Sequence, residues 1–155
     1  MINTVKIWRA KIEVLTVIDS NPPIPPKETA FTEDELYDLF RTQTMGGIRY
    51  TNKHDRVLLV DSRSSNYTDL VDLEKGTVIY TGTGEEPQSF EGRTGKFNER
   101  VRSPESVLLY FHKPHANHLV FKFRVKYLSH YTSTEENKAG KIRRVIKFKL
   151  KILDI

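Results

Sequence analysis

The stretch "RRVIKFKLKIL", residues 143–153, decides the fold class, because its apolar and basic residues alternate one by one. A period of two places alternate side chains on opposite faces of a strand. The sequence therefore predicts a half-buried strand whose outer face is basic, either a solvated surface or a surface that contacts phosphate. The predicted buried set is Ile146, Phe148, Leu150 and Ile152, and the predicted outer set is Lys147, Lys149 and Lys151.

Similar runs rich in β-branched and aromatic residues recur along most of the chain, which is typical of a sheet protein. They are separated by short polar segments such as "KPHANH" and "STEENKAGK", which favour hairpin turns. We expect one strand from each of the following runs: Thr4–Ile18, 56–62, 77–82, 106–113 and 118–131.

Two short helices are predicted among these strands. Thr32 with Glu35 three residues later forms a capping box at the start of "TEDELYDLF", so we expect a helix up to Phe40. A second helix is expected at "KFNERV", residues 96–101. Four prolines make residues 21–28 an extended connector. The predicted fold class is α+β, one domain over residues 1–155, with a strongly bent, mostly antiparallel, barrel-like sheet.

Composition limits the kind of partner. The net charge is +5 with a pI near 9.4, which favours an acidic partner, nucleic acid first. Lys and Arg concentrate in residues 138–151, where no acid occurs. No apolar run reaches the length of a membrane span, so we expect no membrane partner. The absence of cysteine fits a cytoplasmic location.

The segment "VIYTGTGEE", Val78–Glu86, combines a strand end, a tyrosine and two glycines. Upstream, "SSNYTDLVD" supplies a second tyrosine, Tyr67, and a carboxylate, Asp69. Two aromatic rings, one acid that accepts from an exocyclic amine and a glycine backbone can form a pocket for a planar base. The alternative is structural, because tyrosines are common at strand ends and a loop aspartate often caps its own backbone.

The order of these motifs resembles that of the SRA (SET- and RING-associated) domains, which read methylated cytosine in DNA and share the PUA-like fold. The similarity extends over residues 44 to 101 and rests on several pieces in the same order. These pieces are "GGIRY" (46–50), "VLLVDS" (57–62), "NYTD" (66–69), "IYTGTG" (79–84), Gln88 and "KFNERV" (96–101).

This resemblance implies a role for each matching residue. Tyr67 and Tyr80, both partly exposed, would sandwich a flipped base. Asp69 would accept a hydrogen bond from the cytosine amino group, and Thr81 would line the base edge. The loop backbone could approach the base at two glycines, Gly82 and Gly84.

The sequence departs from the family pattern at two points. The acidic stretch after the tyrosine is short, which leaves Asp69 or Asp72 as the acid, and we prefer Asp69 because it is closer to Tyr67. The segment after the glycine loop reads "EEPQS", so the loop packing and the tolerated modification are expected to differ.

The implied function is a DNA-binding module that recognises 5-methylcytosine or 5-hydroxymethylcytosine in double-stranded DNA by base flipping. The resemblance is closest to SRA-like domains of bacterial modification-dependent restriction proteins, in which the reader is fused to a nuclease. Arg63, Arg93 and Lys96 flank the expected pocket and are predicted to hold the DNA backbone. No catalytic site is recognised in this chain, and no cofactor is expected.

Two other functions stay open at this stage. A PUA-like RNA-binding or RNA-modification accessory protein would use the same fold. A small hydrolase would use Asp69 or Asp72 with histidines as acid–base groups. The three-residue spacing of His112, His115 and His118 is interpreted as solvated turn residues rather than a metal site, since no acid or cysteine completes it.

Overall fold

A computed structural model describes residues 21–62 and 69–153 of the chain. The predicted strand at Thr4–Ile18 lies outside these ranges, as do Arg63 and Tyr67. The described residues form two helices, α1 (Glu33–Phe40) and α2 (Gly92–Arg102), and eight strands: β1 (Ala30–Phe31), β2 (Ile48–Arg49), β3 (Arg56–Asp61), β4 (Leu70–Asp72), β5 (Thr77–Thr81), β6 (Val107–His115), β7 (His118–Glu136) and β8 (Ile142–Ile152).

All eight described strands belong to one sheet, in the order β2-β3-β6-β7-β8-β5-β4, with β1 beside β7. Every described pairing is antiparallel except that of β3 with β6. Since β2 and β4 do not pair across the described residues, the sheet is not closed. The predicted α+β class, with a mostly antiparallel sheet and two short helices, is confirmed.

The alternation of β8 is confirmed on its apolar side and fails at one lysine. The predicted buried residues are buried, and Lys149 and Lys151 are exposed. Lys147 is only 5% exposed, so its prediction as an outer residue is wrong. β7 continues beside β8 and supplies Glu135, which forms an ion pair with the Lys147 ammonium. A partner on the neighbouring strand therefore makes burial of this charge possible.

The core consists of two apolar clusters that share strands β3 and β6. Successive residues of β3 enter different clusters, because alternate side chains of a strand point to opposite faces. Cluster one contains Ile48, Val57, Leu59, Val78, Tyr80, Val101, Leu108, Tyr110, Phe123, Val125, Ile146, Phe148, Leu150 and Ile152. Cluster two contains Phe31, Leu36, Phe40, Leu58, Val60, Leu109, Phe111, Leu119 and Phe121.

Both predicted helices are present, and the second is longer than expected. The capping box of α1 is confirmed: Thr32 accepts from the Glu35 amide at 3.1 Å and Glu35 accepts from the Thr32 amide at 3.0 Å. α2 begins at Gly92 rather than near residue 96, which places Arg93 within the helix. Gly95 permits this close packing, since a Cβ there would lie 2.7 Å from the Phe90 backbone.

The hairpins are tighter than the sequence indicated. β6 continues to His115 and β7 starts at His118, so the first turn is shorter than "KPHANH". The His115 and His118 rings stack at 4.8 Å, with 11° between their planes. His112 lies within β6 and its Nδ1 is buried, so its prediction as a solvated turn residue is wrong. Neither described helix is long and apolar enough to cross a bilayer.

Candidate nucleic-acid interface

A cavity of about 690 Å³ opens where the C-terminal ends of β3 and β5 meet the glycine pair before β2. Its size falls within the range typical of small-molecule sites, roughly 300–1,000 Å³. The described members of the predicted base pocket all line it: Asp69, Tyr80, Thr81, Gly82 and Gly84. The structure thus brings together residues from two separate sequence motifs.

Asp69 is held at this cavity by the residue that ends β5. The Thr81 amide donates to Asp69 Oδ1 at 2.7 Å. Burial raises the pKa of the Asp69 carboxyl to about 6, and the charge of Asp61 acts in the same direction. Hydrogen bonds from Thr81 and the positive charge of Lys147 oppose this rise in pKa. At neutral pH the carboxyl group is therefore mostly ionised and acts as an acceptor.

Tyr80 borders the cavity, but it is a core residue. Only 2% of its surface is exposed, so the prediction that it is partly exposed is wrong. Its ring meets Tyr110 edge to face at 6.2 Å, and its hydroxyl donates to the Val60 carbonyl at 3.0 Å. A Cβ on Gly47 would lie 2.6 Å from this hydroxyl. The glycine before β2 therefore makes room for Tyr80.

The loop that follows β5 is fixed by the side chain of Gln88. Its Nε2 donates to the Gly82 carbonyl at 2.8 Å and to the Gly84 carbonyl at 3.1 Å. Its Oε1 accepts from the Ile146 amide at 2.8 Å, which attaches the loop to β8. The buried Gln88 amide thus connects two carbonyls of the backbone that walls the cavity to strand β8.

Asn98 of α2 and Arg143 of β8 hold the same loop from two further sides. Asn98 Oδ1 accepts from the Thr83 amide at 2.8 Å, and its Nδ2 donates to the Thr83 carbonyl at 3.1 Å. Arg143 donates from Nε and Nη2 to the Gly84 carbonyl at 3.1 and 3.0 Å. A Cβ at Gly82 would lie 2.8 Å from Asn98 Oδ1. Gly82 is therefore needed for this internal packing, whether or not a ligand approaches.

Gln88 and Asn98, the asparagine of "KFNERV", belong to the motifs that resemble the SRA family, but the sequence did not indicate what they do. Their role is to fix the loop. The signal was available, because a buried side-chain amide needs partners and a glycine loop has many unpaired backbone groups. Arg143 was missed and Lys147 was predicted to be exposed, since the alternation of β8 does not show which neighbouring groups cover a face.

Three of the residues that line the cavity are basic: Arg49, Lys113 and Lys138. Two of them share one acid, because Arg49 Nη1 lies 2.8 Å and Lys113 Nζ 3.3 Å from the Glu33 carboxylate. Arg49 Nε also donates to the Gly46 carbonyl at 2.9 Å. Arg49 therefore fixes the glycine pair on the wall opposite the loop after β5.

The rim of the cavity carries charges of both signs. Glu85, Glu86 and Glu91 line it on the side of the loop after β5. Arg93 and Lys96 are exposed on α2, next to Thr94 and Gly95, which do line the cavity. Their predicted contact with a DNA backbone stays a prediction, as does that of Arg63, which lies outside the described residues.

Among the residues that the structure describes, no cluster of three or more His, Asp or Glu side chains could hold a metal ion.

The sequence profile of the family described as "ScoMcrA-like, SRA domain" matches residues 28–154. The SRA and sulfur-binding domains of ScoMcrA, complexed with phosphorothioated DNA, superpose with a TM-score of 0.66 at 16% identity. This match covers 84% of the present chain and 40% of that chain.

Two further solved structures share the fold. The DNA modification-dependent restriction endonuclease AspBHI gives a TM-score of 0.60 at 18% identity, over 78% of this chain and 38% of that one. The SUVH5 SRA domain, complexed with fully methylated CG DNA, gives a TM-score of 0.62 at 19% identity, over 89% of this chain and 95% of that one. Among curated proteins there is no significant match.

The fold is thus that of an SRA domain. With the profile match over residues 28–154, this chain belongs to the ScoMcrA-like SRA domain family. The chain spans less than half the length of the ScoMcrA and AspBHI chains that it matches.

Proposed function

We propose that this protein recognises modified cytosine in double-stranded DNA, 5-methylcytosine or 5-hydroxymethylcytosine, by flipping the base into the cavity. Its membership of the SRA family supports DNA carrying a modification as the ligand. The observation that carries the proposal is a half-buried carboxylate, Asp69, fixed at a cavity whose wall is a clamped backbone loop.

The hydrogen-bonding capacity of Asp69 fits this role. An ionised carboxylate offers about four acceptor positions on its two oxygens. The Thr81 amide and hydroxyl account for two hydrogen bonds to it, which leaves acceptor capacity for an exocyclic amine. Cytosine presents such an amine at its Watson–Crick edge, whereas thymine presents an acceptor at the same position.

Flipping would require the base to unstack from its neighbours, which costs a few kcal/mol. Stacking on an aromatic ring contributes ~1–3 kcal/mol per base. Tyr67 is our candidate for this ring, and Tyr80 would contribute to the floor of the pocket rather than an exposed stacking face. Arg63, Arg93 and Lys96 would neutralise the phosphates on either side.

We further propose that the domain supplies the specificity of a modification-dependent restriction system in the cytoplasm, fused to or partnered by a nuclease. The likeness to ScoMcrA and AspBHI supports this, since both are described as restriction endonucleases and both are longer than this chain.

The test is a titration of otherwise identical duplexes containing cytosine, 5-methylcytosine, 5-hydroxymethylcytosine or glucosylated 5-hydroxymethylcytosine. A phosphorothioated duplex belongs in the same series, because the ScoMcrA structure contains one. We expect one of the cytosine modifications to bind about ten-fold more tightly or better than cytosine. 2-Aminopurine opposite or beside the modified base should become more fluorescent on binding, since flipping unstacks it.

The same titration is repeated with Asp69→Asn as the test variant and with Asp72→Asn as the matched control. Asp69→Asn turns one acceptor oxygen into a donor, so the preference for modified cytosine should be lost while the fold remains. Asp72 bonds to the Lys75 amide at 3.0 Å in the β4–β5 turn, so its substitution should leave the preference unchanged. Equal binding of all duplexes by the parent, or tighter binding of an RNA competitor, would exclude the proposed function.

A further inference from the structure

Lys147 forms a continuous hydrogen-bonded chain with the recognition carboxylate. Its Nζ donates to Thr81 Oγ1 at 2.7 Å, across the β5–β8 pairing in which these two residues are register partners. The Thr81 amide and hydroxyl both bond to Asp69. The chain therefore runs from a buried ammonium through one hydroxyl to the carboxylate at the cavity.

The Lys147 ammonium is buried at a position where an apolar side chain would have a smaller desolvation cost. Burying a charge is unfavourable unless it is paired and hydrogen-bonded. Lys147 meets this requirement with Glu135 of β7, whose second oxygen, Oε1, is buried without a hydrogen-bond partner among the described residues. Buried ion pairs add little or nothing to stability relative to apolar residues of similar size, which directs attention to a further role for Lys147.

Lysine determines the direction of the Thr81 hydroxyl. An ammonium has three donors and no acceptor, so Thr81 Oγ1 must accept from it. The hydroxyl hydrogen then points away from Lys147, which leaves it available to Asp69, whose pKa the Thr81 side chain lowers by hydrogen bonding. With an apolar residue at position 147, Thr81 Oγ1 would lose the ammonium donor, and the direction of its hydroxyl hydrogen would be less firmly fixed.

We propose that Lys147 is a positioning residue for base recognition, which orients the Thr81 hydroxyl and holds Asp69 as a fixed hydrogen-bond acceptor. This inference rests on the proposed function, because it assigns Lys147 a part in the same site. The residue makes its contribution from the strand behind the cavity and does not itself line it.

Charged and titratable groups from several strands act on this site. Asp61 of β3 raises the pKa of Asp69 and Lys147 of β8 lowers it. Asp61 in turn accepts from the Tyr110 hydroxyl of β6 at 2.7 Å, and Tyr80 of β5 lies beside Tyr110. Without Lys147, burial and Asp61 would act unopposed by this cation, so Asp69 would take up a proton at a higher pH.

The experiment compares Lys147→Met with Lys149→Met, a variant that removes the same charge from an exposed position on the same strand. Binding of modified and unmodified duplexes is measured from pH 5 to pH 9. In parallel, the Asp69 carboxyl is titrated by ¹³C NMR in the protein without DNA. Lys147→Met/Glu135→Gln serves as the second variant, because it avoids leaving Glu135 buried and unpaired if the single variant does not fold.

We expect Lys147→Met to lower the preference for modified DNA about ten-fold at pH 7, with partial recovery at pH 9. The Asp69 titration should move upward by about one pH unit, which corresponds to a ten-fold change in proton affinity. Lys149→Met should weaken both duplexes equally and leave the Asp69 titration unchanged. The double variant should behave like Lys147→Met.

Equal effects of the two single variants, or an Asp69 titration that does not move in the folded Lys147 variants, would overturn the inference. If the parent shows no preference for modified DNA, the proposed function fails instead. The NMR titration would then still decide whether Lys147 controls the Asp69 carboxyl.

Discussion

The two sides of the sheet differ in what they bury. Cluster two is entirely apolar and packs α1 against β3 and β6 through residues such as Phe40 and Phe111. Cluster one includes Tyr80 and Tyr110, whose hydroxyls donate to the Val60 carbonyl and to Asp61. The apolar side needs only complementary shape, whereas the other side also needs every buried polar group to find a partner.

This difference separates stability from recognition. A carboxylate that is to accept a hydrogen bond from a ligand must be partly desolvated and yet remain ionised, and these requirements oppose each other. The groups that balance these requirements around Asp69 come from β3, β5 and β8, and none of them belongs to cluster two. Substitutions in cluster two should therefore change stability alone, and those near Asp69 should change both properties.

The largest effect is expected from Phe111→Ala. Phe111 is fully buried and its ring meets those of Phe31, Phe40 and Phe121. Loss of a buried phenyl group should lower the free energy of unfolding by about 3–5 kcal/mol, measured by denaturant titration. Tyr131→Ala, at an exposed position, should stay within about 0.5 kcal/mol. Loss of the preference for modified DNA by folded Phe111→Ala would contradict the separation of the two sides.

The next largest effect is the pH dependence that Asp69 gives to the free energy of unfolding. Its pKa is about 6 in the folded protein against 3.8 in the reference state, so the folded state binds the proton more tightly between these values. The free energy of unfolding should therefore fall as pH rises through this window, by up to about 3 kcal/mol at 1.36 kcal/mol per unit. The free energy of unfolding is measured against pH for the parent and for Asp69→Asn, and the difference between the two curves gives the contribution of Asp69.

DNA recognition should follow pH in the opposite direction to stability. The preference for modified duplex needs ionised Asp69, so it should weaken as pH falls below about 6. A preference that persists unchanged at pH 5 would show that Asp69 does not accept from the base.

A smaller effect is expected from Asn98→Ala in the clamp of the loop after β5. The substitution leaves the Thr83 amide and the Ser89 carbonyl without their side-chain partner. We expect a loss of about 1–3 kcal/mol in the free energy of unfolding and a weaker preference for modified DNA. Asn52→Ala is the control, because Asn52 is exposed and, among the residues that the structure describes, its side chain bonds only to Arg100. If Asn98→Ala keeps the full preference, the loop does not shape the pocket.

The smallest effect on stability is expected from Arg93→Ala and Lys96→Ala, both exposed on α2. Each should leave unfolding within about 0.5 kcal/mol. Each should reduce the slope of log affinity against log salt by about 0.9, equally for modified and plain duplexes. Lys75→Ala, at the other end of β5 from the cavity, should leave that slope unchanged. A selective loss of modified DNA would contradict their assignment to the backbone.

Local patterns were sufficient for much of the fold. Alternation predicted β8, the capping box predicted α1, and the order of motifs predicted the SRA family and the grouping of Asp69 with Thr81. These signals succeed because side-chain periodicity and helix capping act between residues close in the chain. The short strands β1, β2 and β4 were not predicted, since two or three residues carry no periodicity.

The tertiary structure alone decided that two residues, Tyr80 and Lys147, are buried. Tyr80 is buried because Tyr110 and the Val60 carbonyl, from other strands, receive its ring and hydroxyl. Lys147 is buried because β7 continues far enough to bring Glu135 beside it. The sequence by itself determined the longer strands and the family, and it predicted Asp69 as the acid at the site. The environment of that acid depends on charges and donors distant in the chain, and electrostatic interactions depend on distance in space rather than in sequence.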